Sequence, residues 1–449
     1  MDGSDIMQLN PDQEFVISRA VDWFKYSSEQ LFQYDGPPGS GKSVVLNEIV
    51  NRLGLNVLTE IAPMSFIGAA SLIMRTKGLV TAKTAHSWIF DIVDVPIKDP
   101  STGAPVYNRD GHVMTKKGFI PKDHLAPSIK LIVVDEAFCM PRYLRQHLEH
   151  FGLKILACGD TNQLPPVGDA PAFLVDGKIH HLSQIMRQEG RDDIIFIADR
   201  AMRQLPLLNG YYGHSMVVDR EDLCDNMLLW ADMIICGTNR TRDIINDHIR
   251  SLRGYRTLTP QYGERVVCRN NNWGLETTDA NGTKVNLVNG LIGTVVSHPG
   301  VDSYNSRNNT LALDFLCDYI PCTFSCEANY DYLVSRHEQR EAIKNSPYAN
   351  GQMIEYAYAI TCHIAQGSQF EKVLYIEEWL GDDIQPRLNL VGATRATKQL
   401  IYVNPEREPW PEYGDQHSVA NIVTEARLAK AKKFKRRQSA HKRRRDGGI

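Results

Sequence analysis

Short apolar runs alternate with stretches of helical periodicity along most of this 449-residue chain. Apolar runs at 31–34, 56–61, 131–134 and 153–158 predict buried strands, and helical spacing marks 15–24, 44–50 and 67–74. A second series follows, with strands at 233–236, 372–376 and 400–403 and helices at 244–249 and 388–395. Continuous apolar strands between helices are typical of parallel sheets. The pattern therefore predicts an α/β protein with two parallel-sheet domains.

Two stretches interrupt this alternation. Residues 94–128 are rich in Pro, Gly, Asp and Lys, with strand-like pieces at 104–107 and 112–114, so they predict either a small hairpin insertion or a plain surface loop. Short β-like pieces at 265–268, 291–296, 310–315 and 320–324 predict an inserted barrel-like β module over about 264–350, after which 355–360 is expected to resume the second domain. A helix at 192–204 is expected to close the first domain, with the boundary at Leu205–Pro206.

Composition narrows the class of protein. With 43% hydrophobic residues the chain has enough apolar side chains for substantial cores, and no run approaches the roughly 18 residues of a membrane span. The first residues are acidic and polar, unlike a secretion signal. Nine scattered cysteines favour reduced thiols in an intracellular protein. We therefore expect a soluble protein with no membrane partner, cytoplasmic in a bacterial or phage-infected cell, with a nuclear location left open.

The charge is unevenly distributed. Ten of the 50 Lys and Arg residues lie in 430–445, which leaves 40 against 53 Asp and Glu, a net charge of −13 for the remainder of the chain. The body is thus acidic and the C-terminal tail strongly basic. The tail fits DNA phosphates, a replication or single-strand-binding protein, a nuclear-import-like sequence or a solvated tail, and all four alternatives remain open.

The strongest chemical signal is a glycine-rich loop between the first strand and the next helix. Gly36-x-x-x-x-Gly41-Lys42-Ser43 matches a phosphate-binding loop at every required position. Its glycines let successive N–H groups point at an anion, Lys42 reaches the terminal phosphates, and the Ser43 hydroxyl is a Mg²⁺ ligand. ATP and Mg²⁺ are therefore the predicted substrate and cofactor. The residues expected at the nucleotide are Gly36, Pro37, Pro38, Gly39, Ser40, Gly41, Lys42, Ser43 and Val44.

Two later strands end in polar groups suited to hydrolysis. The run 131–134 leads to Asp135, placed to hold Mg²⁺ through water, and Glu136, placed to orient and deprotonate an attacking water. After the run 153–158, Gln163 could bring its amide to a terminal phosphate. Upstream, Gln13 is either an adenine contact or a solvated helix residue. Cys317, Cys322 and Cys326 invite a zinc site, but their spacing favours ordinary hairpin thiols.

The order of these motifs resembles superfamily 1 helicases, on the side of the Dda and RecD-like group, often called superfamily 1B. The resemblance covers about residues 9–403 and includes Gly159–Asp160-x-x-Gln163–Leu164–Pro165–Pro166 and Asn289–Gly290-x-x-Gly293. It implies two RecA-like domains, at 1–205 and 206–410, that bind ATP between them and single-stranded DNA across their tops. By this resemblance, the hairpin insertion at about 90–128 corresponds to a strand-separating pin, and the β module at 264–350 corresponds to an SH3-like insertion. Residues 411–449 are expected to form a linker, a helix and the tail.

The same resemblance assigns roles to single residues. It implies that Gln13 contacts adenine, that Gln163 senses the γ-phosphate, and that Arg187 and Arg395 reach that phosphate. The DNA contacts it implies are Pro63, Thr84, His86, Asn239, Thr361, His363, Gly367 and Ser368. The expected activity is 5′→3′ movement with unwinding of forked DNA by a monomer, in replication, recombination or repair. A nucleotide-driven switch or loader without strand separation, and an RNA-tracking helicase, are the alternatives.

Overall fold

The computed structural model describes residues 9–99, 101–107, 111–184, 192–279, 282–298, 303–346 and 349–405. The predicted helix at 417–433 and the basic tail lie outside these residues, as does Arg187. Within them, no helix combines the length and apolar character needed to cross a bilayer.

The first unit is a parallel six-stranded sheet with helices on both faces. Its helices are α1 Pro11–Tyr26, α2 Lys42–Leu53, α3 Gly68–Thr76, α4 Ala85–Ile89 and α5 Arg142–His150. Its strands are β1 Leu31–Asp35, β2 Ile61–Ser65, β3 Lys83–Thr84, β4 Phe90–Pro96, β5 Thr115–Pro121, β6 Leu131–Asp135, β7 Lys154–Gly159 and β8 Ile179–His181. The sheet order is β3-β2-β6-β7-β1-β8, and β4 and β5 form a separate antiparallel hairpin. Apolar clusters cover both faces of the sheet.

The second unit repeats this plan around another six-stranded sheet. Its elements before the insertion are α6 Asp192–Met202, β9 Gly210–Tyr212, β10 Ser215–Asp219, α7 Asp225–Trp230, β11 Met233–Cys236 and α8 Asn239–Leu252. The inserted elements are β12 Arg265–Cys268, β13 Asn272–Thr278, β14 Lys284–Leu287, β15 Ile292–Val295, β16 Tyr304–Asn305, β17 Thr310–Cys317, β18 Thr323–Asn329, α9 Tyr330–Val334, α10 His337–Asn345 and β19 Ile354–Tyr356. The unit then continues with β20 Ala359–Thr361, α11 Cys362–Ala365, β21 Phe370–Ile376, α12 Gln385–Thr394 and β22 Ala396–Asn404.

The parallel sheet and the β module of the second half have different strand patterns. The order β20-β11-β21-β22-β10-β9 is parallel except at β9, whereas the strands of the β module are antiparallel and enclose their own apolar cluster. Because the carboxyl ends of parallel strands share one sheet edge, the loops after β1, β2, β6 and β7 meet there in the first unit. The loops after β11 and β20 do the same in the second.

Several element boundaries differ from the sequence predictions. The expected strand at 56–61 is a turn followed by β2, because Asn56 accepts the Leu58 N–H through Oδ1 (2.9 Å) and the Glu60 N–H through its carbonyl (2.8 Å). In the insertion, β4 and β5 form the hairpin. The predicted pieces at 104–107 and 112–114 lie in the segment that connects these two strands, where they form only isolated bridges. The expected strand at 320–324 starts later, at Thr323.

Two stretches near the predicted domain boundaries pack differently from what the sequence pattern suggests. The helix expected to close the first domain, α6, packs instead with α12 in the core of the second unit, through Ile194, Ile197 and Ala198. The stretch 355–360 is expected to resume the second domain, but Ile354–Tyr356 still pairs antiparallel with β12 in the β module. Only Ala359–Thr361 joins the parallel sheet.

A buried ion cluster fastens the β module to α8. The Arg242 side chain is 1% exposed and lies 2.8 Å from both Asp243 and Glu355. Arg340 from α10 adds a bond of 2.9 Å to Asp243, and Arg269 lies 3.3 Å from Glu355. These arginines hold the pKa of Glu355 below its usual value although burial raises it. Because buried charges require close partners, the cluster ties the module to the second unit.

Candidate functional site

The loop between β1 and α2 forms a cradle for an anion. Gly39 and Gly41 adopt φ angles of 84° and 83°, which only glycine takes up readily. At Gly36 a Cβ atom would lie 2.4 Å from Ser40 Oγ, so the loop closes on itself only without a side chain there. Gly41 is the N-cap of α2 and provides no side-chain bond to its first turn. The N–H groups at this helix end therefore suit a phosphate.

The charged and hydroxyl groups of the loop are placed around that cradle. Lys42 Nζ donates to the carbonyls of Gly36 (2.7 Å) and Pro37 (3.2 Å), at the mouth of the loop. Ser43 Oγ accepts a hydrogen bond from Lys77 Nζ (3.0 Å). Ser40 Oγ is buried without a hydrogen-bond partner. An unsatisfied hydroxyl within a phosphate-sized loop is what a bound triphosphate would satisfy.

The acid pair lies at the end of β6, next to this loop. Asp135 Oδ1 accepts the Glu136 N–H (2.9 Å), and Cys158 Sγ lies 3.3 Å from the same oxygen. Glu136 has a φ angle of 51°, a left-handed conformation that a non-glycine residue takes only under constraint. Burial, and then the charge of Asp135, raise the pKa of the Glu136 carboxyl, and the nearby Lys42 opposes this shift. A carboxyl with a raised pKa beside a phosphate loop suits general-base chemistry.

The loop after β7 contributes two further buried acceptors. Gln163 is 3% exposed, and its Oε1 has no hydrogen-bond partner. Asp160 is 1% exposed; its Oδ1 accepts the Asn162 N–H (2.9 Å), whereas its Oδ2 is without a partner. Burial raises the pKa of Asp160, which Lys42 opposes. The predicted sensor Gln163 thus lies in the same electrostatic environment as Lys42, and Asp160 joins it although sequence reasoning gave it no role.

Arg395 approaches this site from the second unit. It is 5% exposed, and its guanidinium donates to Val391 O (3.1 Å), Ser368 O (3.3 Å) and Thr394 Oγ1 (3.2 Å), all in the second unit. Burial lowers its pKa, and the charges of Glu136 and Asp160 act in the opposite direction. An arginine of one unit therefore faces the carboxylates of the other.

Two contacts that the sequence did not reveal join the units beside the site. Arg387, on α12, donates through Nη1 to Thr161 O (2.5 Å) and Gln163 O (2.6 Å), and its guanidinium lies 5.1 Å from the Phe138 ring centre. Gln366 donates through Nε2 to Leu164 O (3.2 Å). No local motif marks either residue, because their partners are backbone carbonyls distant in sequence.

A cavity of about 470 Å³ opens between the phosphate loop and α6. Its walls include Pro37, Pro38 and Gly39 from the loop, Ile195 and Phe196 from α6, and Leu390 and Thr394 from α12. Because α6 belongs to the second unit, the cavity lies at the junction of the two units. It is the kind of partly apolar cleft in which nucleotides bind.

Gln13 is neither solvated nor free in this structure. It is 2% exposed, donates from Nε2 to Ser40 O (3.0 Å) and accepts the Asn10 N–H at Oε1 (3.0 Å) as part of a capping box. The alternative of a solvated helix residue is therefore wrong. Gln13 joins α1 to the phosphate loop, and its contact with adenine stays a prediction.

The predicted DNA contacts of the first unit lie in β2, at the end of β3 and in α4. Pro63 lies in β2, with its carbonyl accepting the Trp88 indole N–H (2.8 Å), and Thr84 is the N-cap of α4. His86 lies 2.9 Å from the Tyr143 hydroxyl within a cluster of aromatic rings, and burial lowers its pKa.

The predicted DNA contacts of the second unit follow β11 and β20. Asn239 begins α8 and accepts a bond from Arg242 (2.9 Å), and Thr361 caps α11, which carries His363. Gly367 has a φ angle of 78°, and a Cβ atom there would lie 2.8 Å from Ala70 Cβ of the first unit. Ser368 is fully buried. Apart from Pro63, which is buried within β2, the two sets thus lie at the strand ends of their units or just after them, and their DNA roles stay predictions.

The structure gives no support to a zinc site. Cys317 and Cys326 lie on β17 and β18, and Cys322 lies just before β18. Across the described part of the chain, no group of three or more His, Cys, Asp or Glu side chains is arranged to hold a metal ion.

Comparison with known proteins agrees with this geometry. Residues 8–204 match a family described as AAA domain, and residues 356–403 match the UvrD-like helicase C-terminal domain. No curated protein matches the chain significantly by sequence.

Solved structures share the fold at low sequence identity. A Pif1 helicase from Bacteroides, in complex with ADP-AlF3 and ssDNA, is 14% identical with a TM-score of 0.51, and the match covers 95% of this chain and 98% of that one. Pif1 from Candida albicans is 16% identical with a TM-score of 0.46, covering 94% of this chain and 100% of that one. The first match supports the architecture of two RecA-like domains. The two family matches and this shared fold agree with the resemblance of the motifs to superfamily 1B helicases.

Proposed function

We propose that this protein uses ATP hydrolysis to move along single-stranded DNA in the 5′→3′ direction and to unwind forked duplex. One observation carries the proposal: Arg395 of the second unit is buried within electrostatic range of Glu136 and Asp160 of the first. A site completed by residues from two units can link the state of the nucleotide to the relative position of those units.

Each residue of the site then has a definite task. Lys42 and the loop N–H groups hold the β- and γ-phosphates, Glu136 takes a proton from the attacking water, and Gln163 contacts the γ-phosphate. Arg395 stabilises the charge that develops during transfer, which is worth about 10³–10⁵ in rate for arginine fingers in general. Arg187 is proposed as a second arginine at that phosphate. Because hydrolysis followed by release of phosphate removes negative charge from between the units, it favours their separation.

The Mg²⁺ site fits the residues present. Ser43 would supply a hydroxyl ligand and Asp135 would hold the ion through water, and the buried Ser40 Oγ without a hydrogen-bond partner supports a phosphate in the loop. When bound, Mg²⁺ neutralises phosphate charge.

The DNA path is proposed to run across the strand-end loops that carry His86 and Thr84 in the first unit and Asn239 and His363 in the second. The β4–β5 hairpin stands at one end of this path and corresponds to the strand-separating pin. Its Phe119 is 42% exposed and contacts Trp273 of the β module at a ring distance of 5.3 Å. Trp273 also donates to Ser87 Oγ (3.2 Å), next to His86. The exposed Phe119 ring is thus held in place by the hairpin and by Trp273 of the β module. An aromatic ring held in this way suits the separation of stacked base pairs.

An unwinding assay with forked substrates tests the proposal. A fork with only a 5′ single-stranded overhang should be unwound in the presence of ATP and Mg²⁺, and a fork with only a 3′ overhang should not. Unwinding of the 3′ substrate alone would reverse the polarity. ATP hydrolysis stimulated by DNA, without any strand separation, would identify a nucleotide-driven switch or loader instead. Equal or better activity on an RNA track would replace DNA with RNA as the substrate.

A further inference from the structure

We propose that Tyr319, in the turn between β17 and β18, is a positioning residue that makes ATP hydrolysis responsive to DNA. The proposal rests on the function just described and adds a residue to which that function assigns no role. Tyr319 lies in the β module, outside both parallel sheets. It nevertheless contacts the loop that carries Ser368 and, through that loop, the arginine at the ATP site.

The first link is a hydrogen bond between the module and the loop. The Tyr319 hydroxyl lies 2.8 Å from Ser368 Oγ, and either group can be the donor; the other contact of the Tyr319 hydroxyl is a longer one, 3.5 Å to Gly290 O of the same module. Ser368 is fully buried, and it follows Gly367, whose left-handed backbone lies against Ala70 of the first unit. The Ser368 side chain thus meets the module at the junction of three parts of the molecule.

The second link leads from the same residue to the ATP site. The Ser368 carbonyl accepts a hydrogen bond from Arg395 Nη1 (3.3 Å). Arg395 must give up contacts of this kind within its own unit before it can reach a γ-phosphate. Ser368 therefore bonds Tyr319 through its side chain and Arg395 through its backbone, so a shift of Ser368 changes both contacts.

The turn that carries Tyr319 is well anchored. Cys317 N donates to Cys322 O (2.9 Å), which closes the turn, and Arg265 Nη1 donates to Asp318 Oδ1 (3.1 Å). The Tyr319 ring packs against the apolar clusters of both the second unit and the β module. A ring fixed on this support holds its hydroxyl in one place, so the Tyr319–Ser368 bond can restrain the Ser368 loop.

The linkage follows from the predicted DNA contact at Ser368. If the Ser368 hydroxyl turns to DNA, it leaves Tyr319, and the restraint on the Ser368–Arg395 contact is released. DNA binding would then free Arg395 for the γ-phosphate. In this scheme the Tyr319 bond stabilises the DNA-free state and opposes both DNA binding and hydrolysis without DNA.

The test is Tyr319→Phe, which removes one hydroxyl and leaves the ring in place. One neutral hydrogen bond corresponds to a factor of about five. We expect the kcat of ATP hydrolysis without DNA to rise about fivefold and the DNA-saturated kcat to stay the same, so that stimulation by DNA falls by that factor. The affinity for a single-stranded oligonucleotide should increase by a similar factor, because binding no longer breaks the bond. The KM for ATP should not change.

Tyr304→Phe is the matched control, since it removes a hydroxyl from the same module, where Tyr304 bonds Asn309 (3.1 Å). It should leave the stimulation ratio and the DNA affinity unchanged. An unchanged ratio in Tyr319→Phe, or weaker DNA binding with both kcat values reduced, would overturn the proposal, since those results indicate no role or a merely structural one. If the wild-type protein shows no DNA-stimulated hydrolysis, the proposed function fails rather than this inference.

Discussion

Arg387→Met tests whether the two units must meet for catalysis. The substitution keeps an unbranched side chain of similar length on α12 and removes the guanidinium. It deletes the two hydrogen bonds to the carbonyls of Thr161 and Gln163 and the contact with the Phe138 ring. All three partners lie in the first unit, so the change weakens the contact between the units and leaves the phosphate loop intact.

The magnitude follows from these contacts. Hydrogen bonds to a charged group contribute about 1.5–3 kcal/mol each, and a cation–π contact adds about 0.5–1 kcal/mol. Because Arg387 is partly exposed and water competes for its guanidinium, we take a total of about 2 kcal/mol, below the sum of these values. That free energy corresponds to a factor of about 30 in the ratio of closed to open molecules.

Single-molecule energy transfer measures this ratio directly. Dyes attached through azide-bearing residues at exposed Leu58 in the first unit and Leu258 in the second avoid the nine cysteines. With ADP and aluminium fluoride bound, the closed fraction should fall, and kcat/KM for ATP should fall by up to the same factor of about 30. Arg256→Met, at an exposed arginine in the second unit, is the control and should change neither quantity. If Arg387→Met leaves the closed fraction and kcat/KM at wild-type values, this contact does not contribute to closure.

Three further predictions concern the site and the tail. Glu136→Gln should bind ATP normally and hydrolyse it very slowly. In the wild type, burial and the charge of Asp135 raise the pKa of Glu136, and only its deprotonated form can accept a proton. The wild-type kcat should therefore fall as the pH drops through a pKa above the usual Glu value. A wild-type kcat that stays constant down to pH 4.5 would contradict this assignment. Arg395→Ala should retain nucleotide affinity in equilibrium titrations and lose about 10³–10⁵ in kcat, and a near-normal rate would remove it from the finger role. Deleting residues 430–449 should flatten the dependence of log DNA affinity on log salt concentration, and an identical slope would remove the basic tail from the DNA contacts.

The local elements that carry the chemistry were predictable because they depend on local sequence. Glycine spacing determines the phosphate loop, and an apolar run that ends in two acids determines the β6 edge with Asp135 and Glu136. The same reasoning located the strand before the loop and the helix after it within a few residues.

Long-range packing was not predictable in the same way. The apolar face of α6 fits either unit by pattern alone, and only the packing of Ile194 and Ile197 decides that it joins the second. Asn56 forms a turn where the run 56–61 has strand character, because its side chain captures a backbone N–H. Arg387 donates to backbone carbonyls, and the Tyr319 hydroxyl contacts the Ser368 hydroxyl. These partners come close to Arg387 and Tyr319 only in the folded chain, so no spacing rule could identify the two residues.

The ion cluster around Arg242 has a consequence for the modularity of this protein. An insertion joined to its host by flexible linkers could be excised or exchanged as a cassette. Here, removal of 269–352 would take away Arg269, Arg340 and Tyr332 and leave the buried carboxylates of Asp243 and Glu355 to share one guanidinium. The excised protein would carry excess negative charge in its interior. The β module is therefore an integral part of the second unit, and a graft from a relative would have to bring arginines that reach these two acids.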